Sequence, residues 1–402
     1  MLPVEKAREI ILSKVPVLRS ERVYVENALG RYLAEDVVSR YAIPPFDNSA
    51  MDGYALRSED VHSAGTSLKI SSVVAAGAVP GQAVRQGDAA KIMTGAPIPE
   101  GADAVVMRED TLEADGMVTI NRVPVKNDHI RFKGEDIAVG QLVLTKGSLL
   151  TPAAIGVLSS LRQAMVQVHQ RPVVAVLATG DEIAELGDEM PGRAIISSNS
   201  YTLIALIKSA GGIPLYLGIA RDSREDLRMA LGSAAKADLI LTTGGVSMGD
   251  YDMVKDILLE EGNSLTFWKV EMKPGKPLAF GTIGNVPALG LPGNPVSTMT
   301  SFYQFARPAI LKMLGATDLL LPRIRARLKE SMTNRGDRPH YVRGILERAG
   351  DDLEVGPTGP QGSGILPSMA KGNCYMILPK GETSLPKGSY VECELFQGGF
   401  FL

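Results

Sequence analysis

The spacing of hydrophobic residues changes several times along the chain, and each change predicts a different kind of structure. Across 3–18, apolar residues recur at intervals of three and four, which indicates a surface helix docked on a larger body. From about 39 to 133, short apolar runs alternate with Gly and Pro turns, a pattern typical of a β-rich module. Because a helical pattern returns at 152–161, we interpret this module as an insertion between helical segments.

The second half of the chain has a different pattern. Between 171 and about 314, apolar runs such as PVVAVLATG and ADLILTTGG alternate with helical stretches such as SYTLIALIKSAGG, which predicts a parallel sheet flanked by helices. Ser223 is placed to cap one of these helices, and Gly211 to end another in a left-handed conformation. Beyond 322, segments such as RIRARL and SYVECELF alternate inward and outward, so we expect a small C-terminal β-barrel or sandwich.

Length and charge limit the classes of function. A chain of 402 residues suggests two to four domains, and the 42 basic against 45 acidic residues leave a net charge of −3. Such a balance lacks the field needed to grip nucleic acid or an anionic membrane, so we expect neither partner. The opening segment carries charges throughout, unlike a signal peptide, and no run has the length of a membrane span, which favours a cytoplasmic protein.

Cysteine and histidine positions argue against a zinc or iron site. Cys374 and Cys393 lie in a β-type segment outside any C-x-x-C pair, and we interpret them as reduced core thiols. The four histidines are scattered without helical or metal-type spacing. A divalent ion would therefore be held by carboxylate oxygens.

Three predicted strands of the parallel sheet end in loops whose composition suits an anionic ligand. Ligands of open α/β sheets bind beyond the carboxyl ends of the strands, where glycine permits close backbone approach and carboxylates can hold a metal. A Gly-Gly turn or a helix start explains each loop by itself, but three loops at one edge predict a phosphate cradle. The candidate residues are Thr179, Gly180 and Glu182 in ATGDE, Gly244, Gly245, Ser247, Asp250 and Asp252 in TTGGVSMGDYD, and Pro292, Asn294 and Pro295 in LPGNPVS. Asn294 is placed to cap the helix that Pro295 begins, so we expect the amides of the first helical turn to be free and to face outward.

A basic run, WKVEMKPGKPLAF, lies between the second and third of these loops. It contributes Lys269, Lys273 and Lys276, the last two of which flank a Pro-Gly turn. Alone, such a run is a solvated face. Beside a phosphate cradle, it is interpreted as a clamp on a polyphosphate ligand.

The inserted module contains a second group of polar candidates. PPFDNSAMDGYA crowds Asp47, Asn48, Ser49 and Asp52 between large apolar residues, a composition typical of a site wall. MTGAPIPEGADAVV, with Thr94, and IRFKGEDI, with Arg131 and Asp136, have the same mixture. For each acidic residue alone, a structural role explains the pattern equally well.

Together these motifs resemble those of the molybdopterin molybdenumtransferases, the family that includes the E domain of gephyrin. The resemblance rests on DNSAMDGYA, MTGAPIPEGADAVVM, GEDI, TGDE, TTGGVSMGDYD, KPGKPLAFG and GLPGNPVS, which occur in the family's order over the whole chain. It implies a multi-domain α/β plus β fold in an elongated subunit. The implied parts are an N-terminal helix (1–19), a dimerisation region (20–42 and 141–171), an inserted β-rich domain (43–140), a molybdopterin-binding three-layer α/β domain (172–318) and a C-terminal β-barrel (319–402).

The resemblance also implies a reaction and a homodimer. Adenylylated molybdopterin and molybdate would react with the help of Mg²⁺, AMP would leave, and the cleft would lie between the α/β domain of one subunit and the inserted domain of its partner. A molybdopterin adenylyltransferase and recipient molybdoenzymes are further possible partners. The implied roles are catalytic for Asp52, Thr94, Asp136, Glu182, Asp222 and Asp252, metal-binding for Glu182, Asp250 and Asp252, and phosphate- or substrate-binding for Arg131, the three lysines, the loop residues above and Ser363.

Two other functions are compatible with parts of the pattern. A gephyrin-like scaffold would need an additional oligomerising domain joined by a linker, and the motifs here lead us to expect the transferase module instead. A molybdopterin adenylyltransferase would share the α/β fold and would be distinguished by its use of ATP. The sequence leaves open the choice between molybdate and tungstate, and which of Asp250 and Asp252 approaches the metal.

Overall fold

The computed structural model describes residues 1–79, 81–188, 192, 194–245, 253–260, 262–381 and 383–396. These residues build four bodies: an α/β sheet with helices on both faces, a small mixed body, an inserted β-sheet and a closed barrel. The predicted multi-domain α/β plus β fold is confirmed. Within the described ranges, no helix is long and apolar enough to cross a membrane.

The α/β body has a six-stranded sheet. Its first four strands are parallel to one another, and each of the last two is antiparallel to the strand before it. Alternate residues of its second strand serve opposite faces: Val174 and Val176 contribute to one hydrophobic core, and Ala175 and Leu177 to the other. This two-sided burial explains the continuous apolar run in the sequence. The strands, in sheet order, are Ile213–Ala220, Val173–Thr179, Leu239–Thr243, Val286–Leu291, Pro277–Ile283 and Asn263–Lys269.

Helices cover both faces of this sheet. One face carries Val4–Lys14, Ser198–Ser209 and a long helical segment made of Pro295–Ser301, the π-turn Phe302–Ala306 and Arg307–Met313. The other face carries Arg224–Gly232 and Met253–Leu258. A short parallel pair, Ile183–Ala184 with Ile195–Ile196, lies beside the sheet, and 3₁₀ turns occur at Val25–Asn27, Ser58–Asp60, Arg108–Asp110 and Ser233–Lys236.

The predicted helix boundaries agree with the structure in two cases and differ in one. Ser223 Oγ accepts the backbone N–H of Asp226 at 3.1 Å, and Gly211 has φ +91°, so both predicted termini are confirmed. The N-terminal helix, expected over 3–18, ends at Lys14. The following residue is extended because Pro16 disfavours the helical conformation of the residue before it.

The inserted module is a six-stranded sheet that is antiparallel except for one parallel pair. It has a core on each face, with Tyr54 and Leu56 in one and Ala55 in the other. A two-stranded ribbon, Asn48–Ser49 with Ile130–Arg131, accompanies the sheet. The sheet strands, in order, are Ala104–Met107, Gly53–Leu56, Asp88–Ile92, Thr66–Val74, Met117–Ile120 and Thr111–Ala114.

The segments on either side of the insertion pack together as one small body. Ser20–Tyr24 pairs with Met165–His169, and Val37–Val38 pairs with Leu142–Leu144. Helix Pro152–Ser160 covers these ribbons. Leu33 from the first segment and Leu150, Leu158 and Val168 from the second share its core.

The C-terminal body is a closed five-stranded barrel, which decides between the predicted barrel and sandwich. Cys374 and Cys393 are free and fully buried in its core, as expected. The barrel docks on the α/β body through aromatic rings, including Tyr303 stacked on Phe396 at 5.3 Å. Its elements are Arg323–Leu328, Asp352–Pro357, His340–Ala349, Cys374–Leu378 and Tyr390–Leu395 in barrel order, with the pair Met332–Asn334 and Thr383–Leu385 and helix Pro367–Lys371.

Candidate active site

Strand register places the candidate loops of the α/β body at one edge of its sheet. Thr243 is paired in register with both Ala178 and Leu291, so the first, second and third loops emerge side by side. In the antiparallel pair, Lys269 lies opposite Pro277, which brings the lysine-containing turn 270–276 to the same edge. The structure therefore brings together the segments that the sequence analysis grouped.

The second loop lies so close to the first that only glycine fits. A Cβ on Gly244 would lie 2.5 Å from the carbonyl oxygen of Thr179, and Gly244 and Gly245 have φ values of +94° and +63°. The hydroxyl of Thr179 is buried there without a hydrogen-bond partner in the structure. Backbone and a free hydroxyl thus form the floor of this part of the edge.

Asn199, which the sequence analysis missed, joins two of the loops. Its Nδ2 donates to Thr243 Oγ1 at 2.9 Å and to the carbonyl of Gly293 at 2.8 Å. It lies in the first turn of helix Ser198–Ser209, where an asparagine is unremarkable in sequence. Its role depends on a loop about ninety residues away, and no local pattern signals that contact.

The third loop is held by hydroxyl groups and is partly covered by the barrel. The carbonyl of Pro292 accepts hydrogen bonds from Thr243 Oγ1 at 3.2 Å and from Thr298 Oγ1 at 2.5 Å. Pro295 occupies the first helical turn as expected, but the Asn294 side chain makes no capping hydrogen bond. The expectation of free first-turn amides is wrong for Val296, whose N–H donates to the Ser363 carbonyl at 3.0 Å.

The first loop opens into an acidic cleft of about 770 Å³. Asp181 and Asp222 line it, and the backbone N–H of Asp222 donates to Asp181 Oδ1 at 3.1 Å. Burial, followed by the negative charges of Asp181 and Glu182, raises the pKa of Asp222 above its usual value. A cation in this cleft would relieve that crowding of carboxylates.

The three lysines differ in their surroundings. The backbone of Lys273 exchanges hydrogen bonds with the barrel strand, accepting from Tyr341 N–H at 2.8 Å and donating to Pro339 at 2.9 Å. The turn that carries Lys273 and Lys276 is thereby fixed. Lys269 Nζ lies 4.4 Å from the ring centre of Trp268, so its ammonium group rests on an aromatic face.

In the inserted module, Asp52 and Thr94 form a bonded pair. Asp52 Oδ1 accepts the backbone N–H of Thr94 at 2.7 Å and its hydroxyl at 2.9 Å. These bonds, the backbone one first, lower the pKa of Asp52 below its usual value, and the positive charge of Arg108 adds to the effect. The carboxylate is exposed and ionised.

Arg131 and Asp136 belong to a neighbouring cluster. Arg131 donates to Glu135 Oε1 at 2.9 Å and makes a second, shorter contact with Asp136. The two-stranded ribbon pairs Arg131 with Asn48, and Lys133 N–H donates to Asp47 Oδ1 at 2.7 Å. Arg131 is thus paired with two carboxylates, and an anionic ligand would have to compete with them.

The two groups of candidates are separate within one chain. Over the described ranges, no hydrogen bond or ion pair joins the α/β edge to the Asp52 or Arg131 clusters. The predicted residues Ser247, Asp250 and Asp252 lie outside the described residues. In the part of the chain that the structure describes, no three His, Cys, Asp or Glu side chains are grouped so that they could hold a metal ion.

Comparison with known proteins identifies the family. The chain is 36% identical to the molybdopterin molybdenumtransferase of Haemophilus influenzae over 98% of its own length and 99% of that protein. It is also 36% identical to the Nostoc protein of the same name, over 97% and 93% of the two chains. The chain belongs to the molybdopterin molybdenumtransferase family. The family expected from the motifs is confirmed.

Family models cover most of this molybdopterin molybdenumtransferase family member. Residues 2–161 match the MoeA N-terminal region (domain I and II), 175–312 a probable molybdopterin binding domain, and 325–396 the MoeA C-terminal region (domain IV). The structure is similar to that of a molybdopterin biosynthesis moeA protein from Pyrococcus horikoshii, with a TM-score of 0.85 and 31% identity. That match covers 98% of this chain and 100% of the other.

Proposed function

We propose that this protein inserts molybdenum from molybdate into adenylylated molybdopterin with release of AMP, in a cleft completed by a second subunit. Full-length similarity to molybdopterin molybdenumtransferases supports the transferase activity. The observation that carries the site assignment is the sheet edge, where glycine backbone, Lys269 with the lysine-containing turn 270–276, and an acidic cleft adjoin. Such an edge suits a pterin nucleotide with its phosphoanhydride.

Residues of this chain would both bind the ligand and align it for the reaction. Lys273 and Lys276, on a turn fixed by the barrel, and Lys269 would offset phosphate charge. The close glycine turn at Gly244 and Gly245 would let backbone approach the ligand. These groups lower the repulsion between two anions that must meet, which is the main electrostatic demand of the reaction.

The carboxylates of the cleft fit a hard divalent cation. Asp222, which lines the cleft, and Glu182 of the adjoining loop, whose charge acts on Asp222, would hold Mg²⁺ together with phosphate oxygens of the substrate. Mg²⁺ commonly takes only one or two protein carboxylates at such sites. Burial and the negative charges of Asp181 and Glu182 raise the pKa of Asp222, and a bound cation would offset these effects. When bound, the ion would polarise the scissile phosphate.

The inserted module would supply the oxyanion end of the cleft. Its exposed cluster contains Asp52 with Thr94, and Arg131 with Asp136, on elements that the ribbon and sheet hold rigid. Since no described contact links it to the α/β edge of the same chain, we assign it to the cleft of the partner subunit in a homodimer. Exposed apolar side chains on the body around the insertion, including Tyr24, Leu29 and Leu142, support such a dimer.

A complementation experiment tests both the reaction and the composite cleft. Purified protein is mixed with adenylylated molybdopterin, Mg²⁺ and molybdate, and AMP release and pterin-bound molybdenum are followed. Asp52→Ala and Glu182→Ala should each abolish both while leaving dimers intact. Mixed and re-associated in equal amounts, the two variants should recover about a quarter of wild-type activity, because each mixed dimer has one intact cleft.

The alternatives give different results. A cleft built within one chain gives no recovery on mixing. If wild-type protein binds the nucleotide but releases no AMP in the presence of any oxyanion, the result contradicts the transferase activity and favours a binding role. Consumption of ATP with unmodified molybdopterin indicates an adenylyltransferase.

A further inference from the structure

Trp268, the only tryptophan of the chain, holds two ammonium groups against its ring. Lys255 Nζ lies 4.0 Å from the ring centre, and Lys269 Nζ lies 4.4 Å from the same point. The face of an indole ring attracts cations, so each contact is favourable by itself. The two nitrogens can be no farther apart than these two distances added together, which is within the reach of one diphosphate group.

The ring is held in place by apolar packing. Trp268 is half-buried and packs against the core beneath helices Arg224–Gly232 and Met253–Leu258. Its indole N–H is buried and has no hydrogen-bond partner among the described residues. The orientation of the ring is therefore set by its apolar neighbours.

The two lysines come from different elements that meet at the carboxyl edge of the sheet. Lys255 lies in the first turn of helix Met253–Leu258, which follows the second loop along the chain. Lys269 ends strand Asn263–Lys269, which is antiparallel to a strand that is itself antiparallel to the parallel group. This strand therefore points in the same direction as the first four, and Lys269 lies at the edge where the ligand is proposed to bind.

Acidic side chains near Lys255 along the chain are bound by the neighbouring helix. Asp256 pairs with Arg224 at 2.8 Å, and Glu260 pairs with Arg228 at 2.7 Å. These carboxylates join two helices on one face of the sheet, whereas the ammonium group of Lys255 reaches the ring of Trp268. Two ammonium groups on one ring repel each other, and an anion that contacts both would replace this repulsion with attraction.

We propose that Lys255 is a second phosphate-binding residue beside Lys269, and that Trp268 holds the two ammonium groups at a spacing at which one diphosphate group contacts both. The proposal deepens the proposed function and rests on it for the identity of the ligand, the phosphoanhydride of adenylylated molybdopterin. The spacing of residues in the sequence does not reveal this pair, because its members belong to different elements.

Calorimetric titration with inorganic pyrophosphate tests the contact without turnover. The full-length wild-type protein is compared with Lys255→Met, Lys255→Arg and the control Lys236→Met. Lys236 is an exposed lysine of the same body that precedes strand Leu239–Thr243, so its loss removes the same charge at the opposite edge of the sheet.

The three variants should differ in their affinity for pyrophosphate. Lys255→Met should raise the Kd by about 5- to 50-fold, because one charged hydrogen bond to the anion is lost. Lys255→Arg should stay within about threefold of wild type, because arginine keeps the charge and also stacks on aromatic rings. Lys236→Met should stay within about twofold, since distant exposed charges are screened by salt.

Trp268 reports on the site directly, because its emission is the only tryptophan fluorescence of the chain. Pyrophosphate should change the emission intensity of the wild-type protein, since the anion contacts the two ammonium groups that lie on the ring. The midpoint of this change should move in Lys255→Met by the same factor as the calorimetric Kd. If Lys255→Met does not fold, Lys255→Gln removes the same charge and should give the same shift.

AMP release connects the contact to the reaction. With adenylylated molybdopterin as substrate, Lys255→Met should lower kcat/KM by about 5- to 50-fold, and Lys236→Met should leave it within about twofold. Molybdate is titrated in a separate arm, because it is also a tetrahedral oxyanion. Binding of molybdate but not of pyrophosphate through Lys255 would refute phosphate as the ligand.

The remaining outcomes separate the two proposals. Lys255→Met protein that binds pyrophosphate as tightly as Lys236→Met overturns the assignment of Lys255. An equal loss of affinity in Lys255→Arg, or binding to wild type that leaves the emission of Trp268 unchanged, also overturns it. If wild type binds pyrophosphate through Lys255 and yet releases no AMP from adenylylated molybdopterin, the proposed function fails and the phosphate contact stands.

Discussion

Gly244 offers a quantitative test of the close packing at the sheet edge. In Gly244→Ala, the new Cβ would lie 2.5 Å from the Thr179 carbonyl oxygen, whereas such contacts are essentially never below 3.0 Å. The backbone must therefore move by about half an ångström or more. The residue also has φ +94°, which an alanine adopts only at a cost.

These two effects can be separated with a matched glycine. Gly284 lies in the turn between Pro277–Ile283 and Val286–Leu291, has φ +57°, and would place a Cβ in open space. Gly284→Ala should cost about 1 kcal/mol for the backbone conformation alone. Gly244→Ala adds about 1–3 kcal/mol for overpacking against backbone that cannot rotate away.

Calorimetry and AMP release measure the consequences. For a body of about 150 residues, these costs correspond to a fall in Tm of about 3 °C for Gly284→Ala and about 6–12 °C for Gly244→Ala. Because the shift occurs at the sheet edge where the ligand is proposed to bind, Gly244→Ala should also lose at least about tenfold in kcat/KM. If the two variants unfold together and both remain fully active, the close approach of Gly244 to Thr179 does not exist in solution.

Three other perturbations test separate contacts. Asn199→Ala should remove two hydrogen bonds between loops, lower the free energy of unfolding by about 1–3 kcal/mol and reduce activity. If the Asn199→Ala protein is as stable and as active as wild type, Asn199 does not join the two loops. Burial, followed by the charges of Lys273 and Arg343, lowers the pKa of His340 to about 4, so the unfolded chain takes up a proton first as the pH falls. The contribution of neutral His340 to the free energy of unfolding, about 3 kcal/mol, should be fully present above about pH 6.5 and should be lost as the pH falls toward 4. In His340→Gln, the free energy of unfolding should change less over this pH range. Hydrogen bonds from the backbone N–H and the hydroxyl of Thr94 lower the pKa of Asp52. In Thr94→Val, the pKa of Asp52 should therefore move back toward its usual value. An NMR titration of Asp52 that is the same in both proteins would exclude the hydrogen bond from the hydroxyl.

The sequence predicted the elements whose physical cause is local. Buried parallel strands such as Val173–Thr179 are apolar on both faces, so they are visible as continuous runs. Because parallel strands end at the same edge, the order of loops along the chain was enough to predict that the glycine and carboxylate segments meet. The cap at Ser223 and the left-handed Gly211 follow from the chemistry of single residues.

What escaped prediction depends on contacts between distant segments. The Val296 amide was expected to be free, but a barrel loop nearly seventy residues later covers it. Asn199 was not singled out, because its partner Gly293 belongs to a loop of a distant segment. Hydrophobic period and turn chemistry report on neighbours along the chain, and they carry no information about which loop of another body will dock there.

The two halves of the proposed cleft are stabilised in different ways, and this bears on how the cleft is assembled. The oxyanion end is held by short-range bonds within the inserted module, such as Asp52 with Thr94 and Arg131 with Glu135. The nucleotide end depends on loops from separate strands and on the barrel. Each half is ordered without a described contact to the other in the same chain, so neither can adjust the other's shape. If the cleft is shared between subunits, its width depends on the dimer contact and on the junction between each inserted module and the small body of its own chain. A change in the dimer contact should then alter substrate affinity while the bonds within each half remain intact.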